Sequence, residues 1–64
     1  MPYINVALYA GQSKEKKEAI GKKITSVIRE ELPAVPEQNI WVTFQEIPGD
    51  EWLIAGNPGP KPVN

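Results

Sequence analysis

Pro2 stands directly behind the first methionine of a 64-residue chain, and its chemistry depends on what precedes it. Bonded to Met1, its nitrogen is an amide with no useful basicity. With Met1 removed, as a small second residue such as proline permits, it becomes a secondary amine. An α-amino group has a reference pKa of about 7.7–8.0, a prolyl amine lies somewhat higher, and burial lowers the value because desolvation penalises the charged form. A neutral amine near pH 7 is a competent general base. The bland reading of Pro2 is positional: it has no N–H to give to a ladder and is tolerated at the first residue of a strand.

Few other residues compete for that role. The chain contains no histidine and no cysteine, which removes the imidazole base, the thiolate metal site and the disulfide framework, so no metal or cofactor is expected. Lys14, Lys16 and Lys17 cluster where a helix should start and would suit an anionic substrate, although such a run is usually a solvated face and opposes the helix dipole. Backbone N–H groups at the same helix start are a second anion site. Tyr3, Tyr9, Asp50 and Glu51 enter acid or supporting roles only if an assembly brings them to Pro2.

The elements that must position these residues follow from periodicity. Ile4, Val6 and Leu8 alternate with Tyr3, Asn5, Ala7 and Tyr9, the period of two expected of a strand whose faces meet different surroundings. Gly11 permits a turn, Ser13 is a suitable N-cap and Glu15 suits the positive end of a helix dipole. From Lys14 to about Leu32, Ile20, Ile24, Val27, Ile28 and Leu32 recur at helical spacing. Gly21 weakens that helix or admits a close neighbour. Pro33 and Pro36 end it. A second strand is expected from about Asn39 to Ile47, with Ile40, Val42 and Phe44 alternating with Trp41, Thr43 and Gln45. Strand, helix, strand at this length predicts a parallel pair joined by a right-handed crossover. "PGDE" reads as a turn, "WLIAG" as a short apolar segment, and residues from about 57 to 64 as an extended, proline-rich arm.

Size and charge set the remaining bounds. One domain over residues 1–64 sits near the lower limit for a self-sufficient core, and oligomerisation is the remaining stabilising device. Two strands and one helix cover a single sheet face, which leaves Tyr3, Tyr9 and Trp41 to find partners in other copies. Seven Lys and Arg against eight Asp and Glu give a formal charge of -1, with no basic block, so neither nucleic acid nor a membrane surface is indicated as partner. No signal, lipidation or spanning segment is read, and a cytoplasmic location is the expectation.

The order of these features resembles the small subunits of the tautomerase superfamily, similar to 4-oxalocrotonate tautomerase. It rests on Met1-Pro2, the strand closing in "ALYAGQS", the helix rich in lysine and glutamate, and the second strand leading to "EIPGDEWLIAG". The resemblance implies an α+β fold in which a β-α-β subunit with a parallel strand pair and a short C-terminal hairpin or tail pairs into a four-stranded sheet and assembles into hexamers. It also implies an isomerase that uses the amino-terminal proline, after loss of Met1, to move a proton between an enol oxygen and a carbon of a 2-oxo acid. Pro2 carries that role over directly, and Trp52 falls where the family has an aromatic residue walling the pocket.

Two positions depart from the pattern. Gln12 replaces the arginine after the first-strand glycine, and Trp41 replaces the second-strand arginine that steadies the developing enolate, if Glu46 and Trp52 are matched to their counterparts and one inserted residue is allowed before them. The one arginine in the sequence is Arg29, and neither Gln12 nor Trp41 offers a charged bidentate clamp. Gln12 can hold a carbonyl oxygen as a neutral amide, or be a solvated turn residue. Trp41 can offer its indole N–H, or pack between subunits as Trp52 also can. The reading that results is a cofactor-free tautomerase with Pro2 as catalytic base and Gln12, Trp41 and Trp52 as substrate contacts. Its expected partners are a small 2-oxo acid or enol and further copies of the chain, in a homohexamer or with a similar subunit that supplies arginines. The alternatives are hydratase, dehalogenase or decarboxylase chemistry with the same proline, and a catalytically silent subunit.

Overall fold

The computed structural model describes residues 1–59. Strand β1 spans Tyr3–Tyr9, helix α1 Lys14–Glu31 and strand β2 Trp41–Ile47. A hairpin of two short strands, β3 (Leu53–Ile54) and β4 (Asn57–Pro58), follows. β1 and β2 pair in parallel with Tyr3 opposite Trp41 and Tyr9 opposite Ile47, the arrangement expected of a strand, helix and strand. Backbone bonds carry the pairing one residue past each end, from Trp41 N–H to the Pro2 carbonyl at 3.1 Å and from Ala10 N–H to the Ile47 carbonyl at 3.2 Å.

Local chemistry accounts for the boundaries. The Ser13 hydroxyl accepts the Lys16 N–H at 3.2 Å, satisfying one of the free donors at the start of α1. The Leu32 N–H closes the helix on the Ile28 carbonyl at 2.8 Å, and Pro33 has no donor with which to continue. β2 begins at Trp41 rather than Asn39 because residues Glu37–Asn39 form a 3₁₀ turn, with Asn39 donating to Pro36 and Ile40 to Glu37, each at 3.0 Å. A second 3₁₀ turn, Gly49–Glu51, occupies the "PGDE" stretch. The arm expected from about residue 57 starts as β4, and residues 60–64 of that arm lie outside the described residues.

Alternation along the strands sorts the faces. Ile4, Val6, Leu8, Val42 and Phe44 are half-buried while Tyr3, Asn5, Trp41, Thr43 and Gln45 are exposed. Gly21 of α1 faces the Phe44 ring, so the helix covers the first set. A Cβ added at Gly21 would sit 3.6 Å from Phe44, an ordinary contact, so no close approach requires glycine there. Among the described residues only Ile40, at 8% exposure, is a buried apolar side chain, whereas Ile20, Val27 and Leu32 of the helix stripe are open to solvent.

One chain therefore lacks a closed core. Its radius of gyration is 14.5 Å, against about 11 Å expected for a compact domain of this length. Among the described residues no helix is long and apolar enough to cross a membrane.

Candidate active site

Pro2 is half-buried at the start of β1. Its carbonyl is held by Trp41 N–H, while its nitrogen, which has no hydrogen to give, stays out of the ladder. Met1 before it is 64% exposed, so its loss removes little packing. Trp41 lies beside Pro2 on the neighbouring strand. Its indole N–H is already donated to the Gln38 carbonyl at 3.0 Å, so the donor read from sequence is engaged within the chain and only the ring is left open.

Gln12 and Trp52 lie at the other end of the strand pair. Gln12 is half-buried between Gly11, whose φ is 109°, and the Ser13 cap. Trp52 is held twice: its indole N–H donates to the Ile47 carbonyl at 3.1 Å, and its ring tilts at 40° against Tyr9 with centroids 4.8 Å apart. That carbonyl also takes the Ala10 N–H, so both its lone pairs are used. Tyr9 thus has a stacking partner within its own chain.

The hairpin is drawn onto the same pair. Gly59 N–H donates to the Trp52 carbonyl at 2.7 Å, and a Cβ at Gly59 would come within 2.7 Å of the Tyr9 hydroxyl oxygen and 2.9 Å of Trp52 Cβ. Only glycine fits there without displacement.

The candidate residues thus fall into two groups, Pro2 with Trp41 and Gln12 with Trp52. The six residue steps from Tyr3 to Tyr9 separate them by about 20 Å at the usual rise of a strand. One chain does not bring the groups together. Two surface grooves lie elsewhere. One of about 810 Å³ runs between α1 and β2 over Gly21, Val42 and Phe44, and one of about 540 Å³ lies at the helix end around Arg29 and Pro33.

The positive groups are partly engaged. Lys17 pairs with Glu46 on the helix side of the sheet, and Arg29 pairs with Glu37 at 3.1 Å. Sequence reasoning missed the first pair because it depends on the register of β2 under the helix. It also missed a polar ladder on the exposed face. Thr43 donates to Asn5 Oδ1 at 3.0 Å, so its hydroxyl can only accept from Tyr3, 2.8 Å away. Asn5 Nδ2 donates in turn to Gln45 Oε1 at 3.2 Å. The period of two placed all four residues on one face, but only the pairing shows them in contact.

Residues 2–59 match the protein family described as "Tautomerase enzyme". The 2-hydroxymuconate tautomerase of Comamonas testosteroni is 34% identical over 56 residues, covering 88% of this chain and 87% of that one. The crystal structure of a member of the 4-oxalocrotonate tautomerase family superposes with a TM-score of 0.82 at 29% identity, over 97% of this chain and 95% of the other. A structure studied for trans-3-chloroacrylic acid dehalogenase activity superposes with a TM-score of 0.79 at 27% identity, over 92% of this chain and all of the other, 100%.

Proposed function

This chain belongs to the tautomerase family of isomerases, and on that footing we propose that it converts small enols to 2-oxo acids with Pro2, freed of Met1, as general base. The amine takes the enol O–H proton, the O–H electron pair becomes the new C=O π bond, and the C=C electrons take a proton at carbon. The protonated amine returns that proton. No electron or co-reactant is gained or lost, and no cofactor is called for.

The observation that carries the reading is the posture of Pro2. Its carbonyl is pinned by Trp41 N–H at 3.1 Å, which fixes the ring at the mouth of the sheet while the nitrogen remains outside the ladder. Positioning of this kind is what a general base needs. Gln12 polarises the carbonyl oxygen, Trp52 supplies the low-polarity wall and Trp41 a ring beside the base. Because the two groups sit at opposite ends of β1, the site forms between copies, for which a homohexamer is the assembly proposed. The exposed stripe of Ile20, Val27 and Leu32 supports association.

Ketonisation of a simple mono-acid enol, with protein whose mass confirms loss of Met1, tests the reading. Pro2→Ala is expected to lose about 10²- to 10⁴-fold in kcat/KM while the assembly persists. Full retention of activity overturns it.

The likeness to the structure studied for dehalogenase activity favours one second reading, in which the proline acts protonated on a small unsaturated acid. The pH profile separates the two: a base loses activity on the acid side, an acid on the alkaline side.

A further inference from the structure

We propose that the substrate carries a single carboxylate and an aromatic or apolar tail, and that the rings of Tyr3 and Trp41 bind that tail; this rests on Pro2 as the base and names the substrate class for it. Tyr3 and Trp41 are cross-strand neighbours in register, and they adjoin Pro2 in sequence and through the Trp41 N–H bond to the Pro2 carbonyl. They are 58% and 54% exposed.

Both rings have their polar tips turned inward to the chain. The Tyr3 hydroxyl donates to Thr43 at 2.8 Å, and the Trp41 indole N–H donates to the Gln38 carbonyl at 3.0 Å. What remains for a ligand is the ring faces. These carry the negative side of the aromatic quadrupole, so they attract apolar and aromatic groups and disfavour a second carboxylate.

Charge on this face points the same way. Its strand residues Asn5, Thr43 and Gln45 are neutral and bonded to one another. Away from this face, on the helix side, Lys17 is taken by Glu46 and Arg29 by Glu37. A dianion finds no bidentate clamp here among the described residues.

The test compares two substrates within each sample, so that the ratio of their kcat/KM values is independent of the folded fraction. One is the phenyl-substituted enol of a three-carbon 2-oxo acid, the other a 2-hydroxydienedioate of similar length. Wild type is expected to favour the phenyl substrate by about tenfold or more, the size of one good aromatic contact. Trp41→Ala is expected to erase that preference, and Trp41→Arg to invert it. A wild-type preference for the diacid, or an unchanged ratio in Trp41→Ala, overturns the proposal. The second result accompanied by dissociation would assign the rings to contact between copies.

Failure of the base reading shows separately, as Pro2→Ala retaining turnover of both substrates. If neither substrate turns over, calorimetry with 3-phenylpropanoate and hexanedioate decides. Tighter binding of the phenyl acid, weakened in Trp41→Ala, upholds the proposal, and equal or weaker binding overturns it.

Discussion

The Trp41 N–H donates to the Pro2 carbonyl at 3.1 Å, tying the proposed base to the first residue of the neighbouring strand. Proline can accept this bond but cannot return one. The ring is therefore fixed from its carbonyl side alone, and its nitrogen, once Met1 is gone, is left to chemistry.

The pH dependence follows from that role. For the protein lacking Met1, kcat/KM on a mono-acid enol is expected to rise with pH and then level off, because only the neutral amine accepts a proton. Protein retaining Met1 is expected to be inactive at every pH, its Pro2 nitrogen being an amide. Steady-state rates from about pH 5 to about pH 9 check both expectations.

Assembly is the next requirement. Val27, 54% exposed on α1, is not among the proposed site residues, and Val27→Glu places a charge where the helix stripe must be covered. The mass by light scattering is expected to fall, and activity with it, although Pro2 is untouched. Retained activity in a monomer would show that one chain suffices.

The hairpin between β3 and β4 turns on Ala55 and Gly56, with φ of 54° and 83°. A left-handed conformation costs a residue with a Cβ about 1–2 kcal/mol, and asparagine tolerates it better than alanine. Ala55→Asn is expected to raise stability by about 0.5–1 kcal/mol, read from the denaturant midpoint. Gly59→Ala has the opposite sign: its Cβ would crowd Tyr9 and Trp52 at 2.7 and 2.9 Å, a loss of about 1–3 kcal/mol. A change in the emission of Trp52 should accompany it.

Gly21 separates propensity from packing. Because an added Cβ lies 3.6 Å from Phe44, Gly21→Ala is expected to stabilise the helix by about 0.5–1 kcal/mol. Thermal unfolding measures this, and destabilisation would mean that Phe44 cannot yield.

Much of this architecture is legible in the sequence, because β1, α1 and β2 are each written by one period and closed by a cap or a proline. Ser13 and Pro33 needed no tertiary information. The hairpin was harder to read because alanine, not glycine or asparagine, holds the first left-handed position at its turn. The sequence offers Trp52 as an aromatic wall only through the resemblance, and its stacking on Tyr9 depends on how the chain folds back after Ile47. The separation of Pro2 from Gln12 and Trp52 was likewise hidden: sequence order puts Pro2 and Gln12 ten positions apart, and a strand turns those positions into distance.

The ladder Tyr3, Thr43, Asn5, Gln45 has a polarity. Each hydroxyl or amide hands its hydrogen in the same sense, and at the last link the Gln45 side-chain oxygen accepts while both hydrogens of its NH₂ remain to give. The exposed sheet face is thus marked like a magnet, with donors at one pole. Two such faces laid so that their Gln45 ends meet would set donor against donor, whereas an acceptor there completes the row. Even without a charge, the surface distinguishes one orientation of whatever comes to rest on it from the reverse.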